Sequence, residues 1–232
     1  MSVWERIGQS FSNATQDALT AFVEQIRTAL AGDAKTRRQV AFSVAMIALS
    51  AKMAKADGVV TEDEIEAFRQ IFAFEGEQAE QVSRLYNLAR QDVAGYESYA
   101  RQIAQLFPEG DIIRKDVLDG LFHIAKADGV IHERELQFLD TVADIFGITG
   151  TRYRRIKARH LGAQGADPWL LLAADPSWDD QRLKRHYREL VRENHPDLLA
   201  ARGVPAEFTA IANDRLAAIN AAWDSIRSER GL

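Results

Sequence analysis

The amino-acid sequence predicts an all-α protein, and two observations lead to that fold class. Towards both ends of the chain, apolar residues recur at steps of three and four, which is the period of an amphipathic helix. Near the C-terminus, for example, Leu183, Tyr187 and Leu190 share one helical face. Between the two ends, the hexapeptide of residues 54–59 recurs unchanged at 125–130. Such a repeat indicates two related helical units, and the 232 residues predict one or two helical domains.

Residues 1–32 predict an amphipathic helix that ends near Gly32. Its apolar positions are Trp4, Ile7, Phe11, Ala14, Ala18, Phe22, Ile26 and Leu30. One interpretation is a membrane-surface anchor, and the other is a helix packed on its own domain or on a partner. The polar face mixes acidic and basic residues and lacks the cationic bias of surface-binding helices, which favours packing.

Residues 33–161 predict a helical domain built from the two repeated units. Each unit has an apolar helix, an Asp-Gly turn and a second helix, and the two units bury a core that neither could form alone. In the first unit, Thr61 and Glu64 have the spacing of a capping box at the start of the second helix. In the second unit His132 takes the cap position, where it is a poorer cap.

A domain boundary is predicted after the second unit. The basic segment that precedes it contains Arg152, Arg154, Arg155, Lys157 and Arg159. The small residues that follow indicate a linker over 162–167, and the last domain then covers 168–232. The basic segment is either a solvated helix face or a contact surface for an acidic partner, and the solvated face is favoured.

The tripeptide His195-Pro196-Asp197 follows a predicted helix whose surface is strongly basic. Cations on or near that surface are Arg182, Lys184, Arg185, Arg188 and Arg192. Pro196 cannot continue the helix and biases the preceding residue away from helical angles, so the helix is expected to end at Asn194 or His195. A second amphipathic helix follows, which predicts a helical hairpin with the tripeptide exposed in a charged loop at its tip.

This arrangement resembles the J-domain of DnaJ-type co-chaperones over about residues 167–230. Residues 167–172 resemble the short first helix of that domain, with Asp167 as a cap and Pro168 at the first helical position. Residues 183–188 resemble the family's IKKAYR-type run, and residues 219–223 resemble its INxAY run. Four ordered segments, with the His-Pro-Asp tripeptide among them, carry the resemblance.

The resemblance implies that the domain docks on a DnaK-type heat-shock chaperone and stimulates its ATP hydrolysis. The hydrolytic chemistry would belong to the partner, so the chain itself is not expected to be an enzyme. The residues expected to contact the partner are His195, Pro196, Asp197, Arg182, Lys184, Arg185, Tyr187, Arg188 and Arg192. The family usually has a lysine after the tripeptide, whereas this chain has Leu198, which puts the strength of the contact in doubt.

Residues 40–160 are similar to the TerB-like domain of tellurite-resistance proteins, on the strength of the two repeated Lys-Ala-Asp-Gly segments with Glu64 and Glu135. A TerB-like domain before a terminal J-domain is the arrangement of DjlA-type proteins and their soluble DjiA-type relatives. Because the sequence does not begin with a membrane span, it is more similar to the soluble type. The resemblance implies that the TerB-like domain recruits clients or senses stress, and client identity and dimerisation stay open.

Four acids of the repeats, Asp57, Glu64, Asp128 and Glu135, form a candidate divalent-metal site. The step from Asp to Glu in each unit matches the later half of an EF-hand loop, but lysine and apolar residues occupy the earlier ligand positions. Turn formation and helix capping explain the same acids, and that explanation is favoured. No other cofactor is expected.

Composition limits the remaining classes of function. There are no cysteines, so disulfides, thiolate zinc sites and cysteine nucleophiles are excluded. The net charge of −5 argues against nucleic-acid binding. No run approaches the roughly 20 apolar residues of a membrane span, and no signal peptide is recognisable. The expected location is therefore the cytoplasm.

The alternative to a co-chaperone is a stress-response interaction protein or a divalent-metal sensor with a degenerate J-domain.

Overall fold

The structure is a computed structural model. It describes residues 34–57, 83, 86, 87, 89–91, 95–107, 110, 112–161, 166–201 and 208–232. All regular elements in these ranges are helices, which confirms the predicted all-α class. The helix predicted over residues 1–32 and the capping box at Thr61 and Glu64 lie outside the described residues.

The N-terminal lobe comprises the described residues between 34 and 161. Its helices are α1 (Ala34–Asp57), α2 (Tyr96–Leu106), α3 (Ile112–Ala125), α4 (Glu133–Ile145) and α5 (Gly150–Leu161). Helix α1 is the centre of the lobe because α2, α3 and α4 all pack on it. Its side chains are buried without interruption from Val40 to Ala54, as expected for a helix that is apolar on every side.

The second repeat unit has the predicted helix–turn–helix form. Helix α3 ends at Ala125, the Asp-Gly turn follows, and α4 begins at Glu133. Gly129 adopts a φ of 90°, a conformation that glycine tolerates without strain. The Asp128 carboxylate accepts a hydrogen bond from the Val130 backbone N–H at 2.9 Å. His132 is the N-cap residue, as predicted, and its backbone N–H donates to Glu135 Oε2 at 2.8 Å.

The terminal hairpin comprises the described residues between 166 and 232. Its helices are α6 (Pro168–Leu172), α7 (Asp180–Glu193), α8 (Pro196–Ala201) and α9 (Thr209–Arg230). The Asp167 carboxylate caps α6 by accepting from the Trp169 backbone N–H at 2.9 Å, and Pro168 is the first helical residue, as predicted. The hairpin has a small core of its own, formed by Leu172, Leu183, Leu190, Ile219, Ala222, Trp223 and Ile226.

The two lobes pack against each other through the tip of the hairpin. Leu199 of α8 and Phe208, Ile211 and Ala212 beside or within α9 join the hydrophobic core of the N-terminal lobe. The Phe208 ring meets the Phe42 ring edge-on, with 4.4 Å between the ring centroids. A Cβ at Gly120 of α3 would lie 2.7 Å from Met46 Cε of α1 and 3.3 Å from Ile211 Cδ1 of α9, so the glycine permits close packing against both helices. The sequence did not predict how the two lobes pack against each other, and these contacts define that packing.

Helix α5 corrects one prediction. The favoured solvated face holds for Arg152 and Arg154, which are exposed. It is wrong for Arg159, whose side chain is only 10% exposed and pairs with Asp119 of α3. It is also wrong for Arg155, whose Nε donates to the Leu171 carbonyl of α6 at 2.7 Å. One side of the basic segment therefore faces the protein interior, where acceptors on α3 and α6 bind its guanidinium groups.

A membrane-spanning helix requires both length and a continuous apolar character. Among the helices that the structure describes, none has both properties.

Candidate functional site

Helix α7 presents a row of cations on one side and packs with the other. Asp179 caps its first turn by accepting from the Arg182 backbone N–H at 2.7 Å. Leu183 and Leu190 are buried in the hairpin core, as the helical spacing predicts. The opposite side forms a shallow groove lined by Gln181, Lys184, Arg185, Arg188, Glu189 and Arg192. The four cations of this groove are exposed, and we call them the α7 row.

Two other residues predicted to contact a partner take part in packing within the hairpin. The Arg182 guanidinium lies over the Trp178 ring, 4.1 Å from its centroid. The Tyr187 ring stacks on Trp223 at 4.8 Å between centroids, and its hydroxyl donates to Asn220 Oδ1 at 3.1 Å. Tyr187 therefore joins α7 to α9, and Arg182 lies beside the groove rather than in it.

The His-Pro-Asp tripeptide lies at the junction of α7 and α8. Helix α7 ends at Glu193 with Asn194 as its C-cap, which agrees with the predicted end. The prediction that the whole tripeptide sits in a loop is wrong, because Pro196 and Asp197 begin α8. Proline suits the first position of a helix, where its missing N–H costs no hydrogen bond. The side chains of His195 and Asp197 are 53% and 93% exposed, as the sequence predicts for this motif.

The local geometry of the tripeptide is fixed by short-range hydrogen bonds. The Asp197 backbone N–H donates to His195 Nδ1 at 3.3 Å, so this ring nitrogen acts as an acceptor. The His195 carbonyl accepts from the backbone N–H groups of Leu198 and Leu199, at 3.0 and 3.2 Å. The imidazole and the carboxylate are thus presented side by side at the end of the α7 row.

Residues on both flanks of the tripeptide are anchored in the protein. Asn194 is buried, and its Nδ2 donates to the Leu190 carbonyl at 2.7 Å. Its Oδ1 accepts a long hydrogen bond, 3.4 Å, from Arg215 of α9. On the other side, Leu199 is buried in the core of the N-terminal lobe. The exposed motif is therefore held between two buried residues, Asn194 and Leu199.

A buried ion network joins the two lobes directly behind this anchor. Arg215 donates to Asp119 Oδ2 and to Asp116 Oδ1, in each case at 2.8 Å, and all three side chains are less than 5% exposed. Arg159 and His160 of α5 also pair with Asp119, the latter through Nε2 at 2.8 Å. We call these five residues the interlobe network.

The electrostatics of the network favour the ionised form of Asp119. Burial alone would raise the pKa of Asp119, but Arg159 and Arg215, helped by the hydrogen bond from His160, hold it well below its usual range. Sequence reasoning missed these residues. The available signal was a pair of aspartates, three apart, inside the largely apolar helix α3, where a buried charge requires a partner.

The acids proposed as metal ligands are only partly described. Asp128 orders the turn, with its Oδ2 3.4 Å from His132 Nε2, and the buried Glu135 caps α4, so both have local structural roles. The Asp57 side chain and all of Glu64 lie outside the described residues, and the four-acid site stays a prediction. Within the described ranges, no three acidic or histidine side chains are grouped closely enough to hold a metal ion.

Comparisons with known proteins are consistent with this two-lobed arrangement. Residues 43–158 match the family model described as tellurite resistance protein TerB. The co-chaperone protein DjlA of Photobacterium profundum is 30% identical, over 84% of this chain and 80% of its own length. The co-chaperone proteins DjlA of Aliivibrio fischeri and Shewanella oneidensis are 26% and 28% identical, over 97% and 87% of this chain and 90% and 82% of their own lengths. No solved structure matches the chain.

Proposed function

Since the chain belongs to the family of DjlA co-chaperones, we propose that it docks its terminal hairpin on a DnaK-type chaperone and stimulates ATP hydrolysis there. The α7 row makes the first electrostatic contact, and the His-Pro-Asp tripeptide completes the docked complex. The bond-breaking chemistry takes place on the partner. The proposed location of this activity is the cytoplasm, where the N-terminal lobe recruits clients or senses stress.

The observation that carries the proposal is the continuous surface formed by the α7 row and the tripeptide. Lys184, Arg185, Arg188 and Arg192 are exposed, and within the described residues none of them forms an ion pair with a carboxylate. A row of solvated cations raises the association rate with an acidic surface and makes it sensitive to salt. The row leads directly to the exposed His195 and Asp197.

The role proposed for the tripeptide follows from its geometry. The carboxylate of Asp197 is almost fully exposed and accepts no hydrogen bond from the described residues, and its Oδ2 lies 3.6 Å from His195 Nδ1. It is therefore available to a cation on the partner, and charge-assisted hydrogen bonds of this kind are among the stronger polar contacts. His195 holds the start of α8 through its carbonyl and its Nδ1, so that it positions the carboxylate.

The test is the single-turnover ATPase rate of a DnaK chaperone with the full chain. The wild type is expected to accelerate hydrolysis, and His195→Gln to abolish the acceleration. His132→Gln is the matched control, because His132 is an equally exposed histidine in the N-terminal lobe, 58% exposed against 53%. It should stimulate like the wild type.

The opposite result has a definite meaning. If the wild type does not change the rate even at saturating concentration, the hairpin is a scaffold for another interaction, and the alternative of a degenerate J-domain gains support. Leu198, half-buried where the J-domain family usually has a lysine, is the feature that favours that alternative. Leu198→Lys should then restore stimulation in part.

A further inference from the structure

A cavity of about 250 Å³ lies between α3 and α5 of the N-terminal lobe. Its walls include the apolar side chains of Ile112, Phe146, Ile148 and Ile156. Its remaining side chains are all cationic, namely Arg114, Lys115, Arg152, Arg155 and Arg159. Five cations around one small cavity are unusual in a chain whose net charge is −5.

These cations are only partly compensated. Arg114 is held by backbone carbonyls, with Nε 3.1 Å from the Phe107 oxygen, and such bonds fix the guanidinium without cancelling its charge. Arg155 is likewise bonded to a carbonyl. Within the part of the chain that the structure describes, neither Lys115 nor Arg152 has a hydrogen bond or ion pair. Among the ion pairs of the described residues, the one that links a cavity cation to a carboxylate is that of Arg159 with Asp119.

That one carboxylate is already shared. Asp119 also pairs with Arg215 and His160, and Asp116 pairs with Arg215 through Oδ1 while its buried Oδ2 has no partner among the described residues. The charges of these two carboxylates are thus balanced by those of Arg215 and Arg159, which leaves the other cations of the cavity uncompensated. The Nε of Arg159 is buried in the wall of the cavity and has no hydrogen-bond partner among the described residues. A buried donor without an acceptor is rare in folded proteins and calls for a specific explanation.

Burial and neighbouring cations both affect the acid–base behaviour of the cavity. Burial lowers the pKa of Lys115 to about 7, and Arg215 and Arg159 lower it while Asp116 and Asp119 oppose them. Burial also lowers the pKa of Arg155 to about 10, with Arg159 and Arg215 acting in the same direction and Glu193 opposing. Burial disfavours any charge here, whereas the arginine contributions to both shifts reflect neighbouring positive charge that a bound anion would offset.

We propose that this cavity is a binding site for a small anion that contains a diphosphate group, either free pyrophosphate or a nucleoside diphosphate. Guanidinium groups donate pairs of parallel N–H bonds to phosphate oxygens, and Lys115 supplies a point charge beside them. An anion with several charges matches several uncompensated cations. The apolar wall excludes water and strengthens these contacts.

The position of the site gives its occupant access to both lobes. Arg155 lines the cavity and donates to the Leu171 carbonyl of α6, the first helix of the hairpin. Arg159 lines the cavity and pairs with Asp119, which in turn holds Arg215 of α9. An anion bound here therefore contacts two of the residues that connect the N-terminal lobe to the hairpin.

Isothermal titration calorimetry of the full chain with inorganic pyrophosphate, in the absence of divalent cations, tests the proposal. The wild type should bind in a saturable manner, and Lys115→Met and Arg152→Met should each weaken binding at least about tenfold, the effect expected for loss of one charged contact. Lys184→Met combined with Arg188→Met, which removes two exposed cations of the α7 row, should leave binding unchanged.

Two further measurements make the test specific. A parallel titration with ADP distinguishes the sources of the diphosphate, since tighter binding of ADP indicates a nucleotide and equal or weaker binding indicates the free anion. Near pH 7.5, binding should take up protons because the anion raises the pKa of Lys115, and heats measured in buffers of different ionisation enthalpy report that uptake. Lys115→Met should bind without this proton uptake, while keeping or raising the unfolding temperature.

Three outcomes would overturn the proposal. The first is an absence of saturable binding up to about 10 mM of either ligand, beyond which affinity is too weak to be specific. The second is loss of binding in the α7 double variant, which would place the anion on the exposed row. The third is an ordinary lysine pKa for Lys115 in the free protein, measured by NMR titration. The binding experiment contains no chaperone, so its failure would leave the proposed function untouched.

Discussion

Helices α5 and α7 each carry five cations, yet the structure uses them in opposite ways. On α7, all five are exposed and four of them line an open groove. On α5, Arg155 and Arg159 point into the protein and contact α6 and α3. The difference lies in the neighbours, because α5 meets a buried carboxylate and a helix carbonyl, whereas no carboxylate of the described residues forms an ion pair with the α7 row. A basic run in a sequence is therefore ambiguous until its partners are known.

The largest expected effect comes from removing the charge that holds α5 inward. Asp119→Asn keeps the volume but leaves Arg215 and Arg159 buried without their shared carboxylate. We expect the free energy of unfolding, measured by urea denaturation at pH 7, to fall by about 3–5 kcal/mol. Asp224→Asn, which breaks an exposed pair with Arg227 on α9, is the control and should cost less than about 1 kcal/mol. A loss as small as the control's would contradict a structural role for the network.

The same network predicts the behaviour of the protein in acid. The pKa of Asp119 is well below its usual range in the folded protein, whereas an unfolded chain has an aspartate pKa of about 3.9. Its contribution to stability is therefore fully present above about pH 4 and is lost as the pH falls through the folded value. The difference in stability between the wild type and Asp119→Asn, measured by urea denaturation, should therefore shrink as the pH is lowered below about 4.

The second prediction concerns the exposed cations of α7. Arg188→Glu combined with Arg192→Glu should slow association with a DnaK chaperone about ten- to hundredfold at low ionic strength, because both charges are reversed on the surface that steers the encounter. Stability should change by less than about 0.5 kcal/mol. Stopped-flow binding at several salt concentrations measures the effect. Arg154→Glu reverses an exposed cation of α5 instead, and an equal loss in that control would show that the effect reports net charge only.

The third prediction tests whether the positive charge of Lys115 stabilises or destabilises the folded protein. Burial makes the charged form of Lys115 unfavourable, so Lys115→Met should stabilise the protein by about 1 kcal/mol at pH 7. In the folded protein the pKa is about 7, below the unfolded value of about 10.4, so the wild type gains stability as the pH rises between them. The advantage of the variant should therefore shrink towards pH 10. A variant less stable than the wild type at every pH would contradict this account.

The smallest expected effect tests whether the outer side of α5 contributes less to stability than its buried inner side. Lys157 lies on its outer side, 31% exposed, and reaches Asp140 Oδ1 at 3.2 Å. Surface ion pairs of this kind contribute little, so Lys157→Met should change the free energy of unfolding by only about 0.5 kcal/mol. Thermal unfolding monitored by circular dichroism is sufficient to measure it. A cost close to that of Asp119→Asn would mean that the whole of α5 is locked, not only its inner side.

Local features of the molecule could be predicted from the sequence, whereas the contacts between lobes could not. The all-α class, the turn at Gly129, the N-cap of α6 and the end of α7 depend on residues within a few positions of one another, and all are confirmed. The likeness to DjlA co-chaperones is also confirmed. Whether the four repeat acids bind a metal stays a prediction.

The network between Arg215 and Asp119 joins residues 96 positions apart, and no periodicity encodes such a pairing. For the same reason, the inward turn of Arg155 and Arg159 was missed, since it depends on which element packs against α5. The helical start of α8 at Pro196 was also missed. A proline signals the end of one helix and the beginning of another equally well.

The anchoring of the tripeptide by Asn194 and Leu199 has a consequence for the thermodynamics of docking. Ordering the backbone of a flexible residue costs about 1–2 kcal/mol in conformational entropy, and a mobile recognition loop must meet that cost when it binds. Here the tripeptide is already ordered in the folded protein, because Asn194 is bonded to Arg215 and Leu199 is buried in the neighbouring lobe. The entropic cost of ordering it is therefore part of folding and not of binding. Severing the lobes would make the tripeptide more mobile, so that the isolated hairpin would bind its partner with a larger entropic penalty than the intact chain.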